Sequence, residues 1–290
     1  MRRQNGFTLL ELVGVLAVAA ILAGTLAPNI ADSIDRAYAE AERDNMVALA
    51  RGLEQAILQQ KRIPSPKTED WVAAIAETSA LARERIARND RGHARRLVFD
   101  PRFFSKQARR FSGFSQNRGL KQRPLSPRIM LISGLKQRPP TIKNTAEAFD
   151  AVWNQTADAA IRESDDIIIE RLNLTPHFHR VILGNQDSRR PYYRLESGAT
   201  TPLPRARNNR DGTLTRYVLS GTRLALYHAP YPSGRLQQTA VVQADYAMRY
   251  QSAAAGAASD GDDDDDDGDK RKNRKNKRRS SDTTWRWARP

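Results

Sequence analysis

Gly6-Phe-Thr-Leu-Leu-Glu11 opens a stretch that carries no charge from Leu12 to Ala27, and its reading decides the architecture of the rest. About 20 apolar residues cross a bilayer core as one helix, at about 1.5 Å per residue. Phe7 to Ala27 meets that length. Glu11 breaks the pattern, because a carboxylate inside a membrane helix costs on the order of 3 kcal/mol unless a partner offsets it. Arg2 and Arg3 precede the run, whereas Asp32 and Asp35 come before Arg36 beyond it. That asymmetry favours a single-pass span with its N-terminus in the cytoplasm and the remainder outside the inner membrane.

The first residues carry more than hydropathy. A short basic leader, Met1-Arg-Arg-Gln-Asn5, ends in Gly6; Phe7 follows, and Glu11 stands fifth from Phe7. In these features the chain resembles the type IV pilins and the pseudopilins of type II secretion. The resemblance covers about the first 60 residues. It implies that a prepilin peptidase cuts after Gly6 and methylates the new amine of Phe7, and that Glu11 pairs with the N-terminal amine of a neighbouring subunit. It also makes Pro28 the place where the helix bends, in keeping with its missing N–H. The implied function is a structural subunit of a type II secretion pseudopilus or a type IV pilus. Its partners would be the peptidase, other pilin or pseudopilin subunits and the inner membrane. Two plainer readings stand beside it. A secretory signal peptide would be cut near Thr25-Leu-Ala27, with Pro28 directly behind the cut, and a simple membrane anchor would account for length alone. Neither explains Glu11.

At 290 residues the chain has room for a membrane helix, one ordinary domain and a tail. The expected divisions are a leader at 1–6, a transmembrane and assembly helix at 7–27, a stalk helix at 28–62, a periplasmic domain at 63–252 and a low-complexity charged tail at 253–290. The stalk follows from Ile30, Ile34, Ala37 and Ala41, then Met46, Leu49, Leu53 and Ile57, spaced as one apolar stripe on a helix. Ile63-Pro-Ser-Pro66 ends it. A second helix is expected from Thr68, as N-cap, through Trp71, Ile75, Ala82 and Ile86 to a stop at Asn89-Asp-Arg-Gly92. Thr145 caps a third, with Ala148, Phe149, Val152 and Trp153 on its buried side.

Strands are expected at Leu97 to Phe99, Ile129 to Ile132, Ile167 to Ile169, Phe178 to Leu183, Tyr192 to Leu195, Leu214 to Leu219 and Leu224 to Tyr227. Ser220-Gly221 is the strongest hairpin signal. The fold class is therefore α+β: a long N-terminal membrane and stalk helix packed on a globular domain with an antiparallel sheet, followed by a disordered C-terminal tail.

Net charge is +15, and between Arg83 and Lys143 there are 17 Lys or Arg against three acids. Such a balance suits acidic partners. Phe103, Phe104, Phe111 and Phe114 alternate with Arg102, Lys106, Arg109 and Arg110, a mixture able to stack bases and neutralise phosphates. The plainer reading has the Phe rings anchoring a loop while the basic groups stay in water. Gly119-Leu-Lys-Gln-Arg-Pro124 returns as Gly134-Leu-Lys-Gln-Arg-Pro139, too few copies for a repeat fold and readable as two basic turns around one strand. The chain has no Cys, which excludes thiol chemistry and Cys-ligated metals. His177 and His179 have no third ligand at metal spacing. Asp263, Asp265, Asp267 and Gly268 match the first half of a calcium loop, but Arg274 stands where a bidentate Glu belongs. Trp285 and Trp287 read either as a short docking peptide or as a loose end. No cofactor and no enzyme are expected. The alternatives are a DNA-binding minor pilin of an uptake machine and a membrane-anchored protein of unrelated function.

Overall fold

The computed structural model describes residues 9–103, 114–115, 119–164, 166–187, 189–206, 211–252 and 285–288, with the backbone alone at 23–29, 114–115, 252 and 285–288. In chain order the elements are α1 (Leu9–Gln60), β1 (Arg62–Ile63), α2 (Thr68–Thr78), α3 (Arg83–Ala87), β2 (Arg96–Phe99), β3 (Phe114–Ser115), β4 (Arg128–Gly134), α4 (Ala146–Asn154) and β5 (Ile167–Asn173). They continue with β6 (Phe178–Asn185), β7 (Tyr192–Leu195), β8 (Thr201–Pro202), β9 (Gly212–Leu219), β10 (Thr222–Tyr227), β11 (Leu236–Val242), β12 (Tyr246–Ser252) and β13 (Trp285–Ala288). The architecture is the expected α+β class, a long N-terminal helix followed by sheet-rich globular structure. The chain divides into two compact units. One comprises Met1–Gln55, Pro66–Pro101 and Arg128–Leu172; the other comprises Ala56–Ser65, Arg102–Pro127 and Asn173–Pro290.

In the first unit α1 supplies a buried stripe at Ala39, Glu42, Met46, Leu49 and Leu53, spaced three and four residues apart as one helix face requires. Met46, Leu49 and Leu53 are the expected positions. Ile30, Ile34, Ala37 and Ala41 are exposed instead, because the step from Ala41 to Met46 is five residues and leaves the face. The true continuation passes through Glu42, whose charge hid it. Its carboxylate takes a two-point ion pair from Arg95, Nε to Oε1 at 2.7 Å and one terminal nitrogen to Oε2 at 2.7 Å. The side chains are 3 % and 2 % exposed. The other guanidinium nitrogen donates to the carbonyls of Arg85, Ile86 and Arg88 at 2.5, 3.1 and 2.6 Å. This one cation ties α1 to α3 and the turn after it, with both charges satisfied.

The single helix expected from Thr68 to Asn89 is two. Thr68 is the first residue of α2 and Lys67 holds the cap position without a side-chain bond. The helix stops because the Thr78 hydroxyl donates to the Ile75 carbonyl at 3.1 Å and Ser79 turns extended, its N–H closing on the same carbonyl. Trp71, Ile75 and Ile86 are buried as expected, whereas Ala82 lies exposed in the link between α2 and α3. Sheet order in this unit is β2-β4-β5, with β2 and β4 antiparallel. Met130 and Ile132 of β4, Phe149 and Val152 of α4, and Ile169 of β5 form its core. Thr145 caps α4 as expected, its hydroxyl accepting from Ala148 N at 3.2 Å. Arg128 pairs with Asp100 at 2.6 Å and with Asp150, and lies over the rings of Phe149 and Trp153 at 5.2 and 4.9 Å.

The second unit is a sandwich of two four-stranded sheets, β11-β10-β7-β8 and β13-β12-β6-β9. Val181, Leu183, Val218, Met248 and Tyr250 from one sheet meet Tyr193, Leu195, Leu224, Leu226 and Val242 from the other. These are alternate residues along each strand, as a two-sheet core demands. Ser220-Gly221 does not make a hairpin. β9 pairs with β6, and β10 pairs with β7 and β11, so the two residues carry the chain from one sheet to the other. Gly221 holds φ +77 there, where a Cβ is disfavoured. The Ser220 and Gly221 N–H groups donate to the carbonyls of His177 and Val242, each at 2.7 Å. Lys61, which ends α1 at φ +50, donates from Nζ to Ser220 O at 2.7 Å, and burial pushes its ammonium pKa below the usual lysine value. Nor is the pairing wholly antiparallel, because β12 lies parallel to β6. The last strand comes from the charged tail: β13 pairs antiparallel with β12.

Glu42→Ala leaves the Arg95 guanidinium buried without its counter-ion, and about 3–5 kcal/mol of stability should be lost. The double variant Glu42→Met with Arg95→Met should recover most of that. Thermal and urea unfolding of the detergent-solubilised chain measure both.

Candidate assembly interface

The described part of α1 nearest the N-terminus is apolar on every side. Leu9, Leu10, Leu12, Val13, Val15, Leu16, Val18, Ile21 and Leu22 are all more than half exposed, Leu9 and Leu10 at 82 %. A helix apolar all round is one made to be covered. Glu11 sits exposed in its first turn, where the helix N-terminus favours negative charge. Gly6 and Phe7 lie outside the described residues. The α1 backbone is helical through Pro28. Among the described residues no helix is long and apolar enough to cross a membrane; the expected span of Phe7 to Ala27 includes Phe7, Thr8 and the side chains of 23–27, which lie outside them.

Farther along α1 the structure assembles a charged groove of about 310 Å³ that no local pattern announced. It is lined by Asp32, Asp35, Arg36, Arg91, Leu135, Lys136 and Asp166. Arg91, from the turn after α3, pairs with Asp35 and lies 4.7 Å over the Tyr38 ring. Asn89 positions that turn. It is buried, donates to Ser133 Oγ at 3.2 Å and Gly134 O at 2.8 Å, and accepts from the N–H groups of Arg91 and His93 at 3.2 and 2.9 Å. Lys136 pairs with Asp166 at 2.9 Å. The hydrogen bond from Arg91 holds the Asp35 pKa below the ordinary carboxylate value, and the one to Asp166 raises that of Lys136. Lys136 belongs to the second GLKQRP copy, whose Leu135 is buried. The first copy sits in the other unit, with Gly119 at φ +63 and Leu120 bridged to Tyr217. The copies share a sequence and not a conformation.

The basic candidates are not brought together. Arg102 follows β2 and is half-buried; Lys106, Arg109 and Arg110 lie outside the described residues. Phe103 is buried, its ring edge-on to Phe178 at 6.5 Å, which suits the anchoring reading of that aromatic. His177 falls in a 3-10 turn and His179 on β6. They therefore do not share a strand face. Burial lowers the His179 pKa, opposed by the charge of Asp245. Among the described residues no three His, Asp or Glu side chains stand at metal-binding separation. Asp263, Asp265 and Asp267 lie outside them.

Asp35 fixes the sign of one acid response. A carboxyl held low in the fold contributes stability above its unfolded value, 3.8, and loses it as pH falls through the lower folded value. Asp35→Asn should flatten the fall in Tm as pH drops below the unfolded carboxyl value and leave the alkaline side unchanged, read by thermal melts across pH.

Residues 1–27 match the model of the prokaryotic N-terminal methylation motif. The chain is 34% identical over 100 residues to the type II secretion system core protein G of Aeromonas hydrophila, covering 34% of this chain and 68% of that one. Against the core protein G of Klebsiella pneumoniae it is 36% identical over 103 residues, 35% of this chain and 71% of that one. The counterpart in Escherichia coli K12 is 28% identical over 99 residues, 34% and 67% of the two chains. An exposed apolar helix with one acid in its first turn, a methylation motif ahead of it and these relatives agree: the chain belongs to the type IV pilin and type II secretion pseudopilin family and is a pilin-like subunit.

Proposed function

We propose that the chain is made as a precursor in the inner membrane, cut between Gly6 and Phe7 by a prepilin peptidase, N-methylated on Phe7, and assembled through α1 into the pseudopilus of a type II secretion machine. Its N-terminus lies in the cytoplasm and the two compact units in the periplasm. Residues 7–27 form the assembly helix and 28–62 the stalk. The role is structural: the subunit works by position, and Glu11 meets the Phe7 amine of a neighbour. The observation that carries the reading is the all-round apolar surface of residues 9–22, interrupted only by Glu11. The methylation motif and the core protein G relatives support the processing and the machine.

Glu11 has a physical reason to set register. Lipid tails and neighbouring helices are similarly apolar, so moving α1 from bilayer to bundle changes its hydrophobic free energy little. A carboxylate facing lipid costs on the order of 3 kcal/mol, and one that meets an ammonium in the bundle is relieved of much of that. Assembly with the charges aligned is thereby favoured over assembly one turn out of step.

Intact mass and N-terminal sequence of the membrane-extracted chain decide the pathway. Wild type should begin at N-methyl-Phe7, and Gly6→Leu should remain full length. Glu11→Ala should be processed normally yet lose at least about tenfold in pelletable filament, the factor that 1.4 kcal/mol represents. Filament at wild-type level from Glu11→Ala would remove the pairing role.

A further inference from the structure

We propose that the edge of β12 is a strand-exchange site between copies of this chain, taking Trp285–Ala288 either from its own tail or from the tail of a neighbouring copy. The inference rests on the filament reading only in that assembly brings copies side by side.

β13 is the outermost strand of its sheet and is hydrogen-bonded into it through β12. The register is Arg249↔Ala288, Tyr250↔Trp287, Gln251↔Arg286 and Ser252↔Trp285. Ser252 and Trp285 are thus directly opposite one another, where an ordinary hairpin would connect them through two to five residues. Here 32 residues, 253–284, separate them. A connection of that length can extend to about 110 Å. The local concentration it gives its own strand falls as length grows. Compared with a four-residue hairpin, a 32-residue connection lowers the preference for its own strand by roughly twentyfold, which lets a neighbour held alongside in an array compete.

Nothing in the pairing itself distinguishes the source. Strand addition uses backbone N–H and C=O groups along an edge, and an identical strand from a second copy makes identical bonds, so exchange replaces each contact with its equal. Four paired residues are few, short of the commonest strand length of about five or six, which keeps departure easy. Six consecutive acids, Asp262 to Asp267, precede the basic block Lys270 to Arg279 with only Gly268 and Asp269 between. The blocks attract within one tail as well as between tails, so charge does not choose the source of the strand. A subunit array joined this way would be held by the apolar helices at one end and by exchanged tails at the other.

The absence of cysteine from the chain makes the test direct. Arg249→Cys is placed in one copy and Ala288→Cys in a differently tagged copy, both full length, coexpressed and oxidised in membranes. Opposed residues of an antiparallel pair have Cα atoms about 4.5–5.5 Å apart, within disulfide reach. The expected result is a disulfide-linked species carrying both tags, absent when either variant is expressed alone, and an internal disulfide in the double variant Arg249→Cys with Ala288→Cys. Internal closure without any mixed species overturns the proposal. So does failure of both cross-links, or an equal yield when Thr213→Cys on β9, at the far edge of the same sheet, replaces Arg249→Cys. Pelletable wild-type filament is scored in parallel and judges the filament reading separately, because the cross-link is read on total membranes.

Discussion

Nine large apolar side chains displayed around one helix impose the constraint from which the rest follows. They are 53–82 % exposed, so covering them is worth on the order of 10–15 kcal/mol at about 2 kcal/mol per fully exposed Leu, Ile or Val. That is comparable with the net stability of a typical domain. The cost of carrying Glu11 is several-fold smaller, so the helix tolerates its acid without forfeiting its apolar environment. The apolar surface decides that the helix will be covered. It does not decide by what, since lipid and sister helices serve almost equally.

A helix so constrained at one end needs a firm hold at the other. Along α1 the change comes at Ala39, where burial begins, and the hold is not only apolar. Glu42 and Arg95 put a two-point ion pair into the stripe, and Arg95 spends its remaining donors on three carbonyls around α3. An apolar pair of equal volume would hold the helix about as tightly. What the ion pair adds is position: a guanidinium bonded at two points to one carboxylate and to three carbonyls accepts one rotation and one height of α1, whereas Met46 and Leu49 tolerate small slips. The orientation of the exposed apolar turns relative to the first unit is thereby tied to a charge.

How much of this was legible depended on whether the cause lay close in sequence. The end of α1 near Gln60, the Thr145 cap, β7 at Tyr192–Leu195 and the core of β4 are local effects of periodicity, capping chemistry and short apolar runs, and the sequence announces each. The break between α2 and α3 is also local, but it turns on the Thr78 hydroxyl competing for helix carbonyls, which composition does not reveal. Ser220-Gly221 has the chemistry of a tight turn and is one. Whether the next strand folds back on the last or crosses to a second sheet depends on partners at His177 and Val242, and two residues cannot encode that. Glu42 reads as a solvent-facing residue in the sequence because its counter-ion lies 53 positions away. The groove gathers Asp35, Arg91, Lys136 and Asp166 from four separate stretches, and GLKQRP contributes to it through only one of its copies.

Charge poses the remaining problem for a chain that works in an array. Copies at +15 repel one another, and at physiological salt that repulsion acts over about 8 Å, the range over which packed neighbours meet. Distributing the basic groups does not remove it. Pairing them does, and the described structure commits Arg91, Arg95, Arg128 and Lys136 to carboxylates within its first unit. The excess is left elsewhere, much of it between Arg102 and Arg123, where seven Lys or Arg meet no acid. The densest block of opposite sign in the chain is Asp262 to Asp267, on the same connection that carries β13. Yet from 253 to 290 the tail holds nine acids and ten Lys or Arg. It is close to neutral by itself, so the repulsion between copies is set by the groups that precede it.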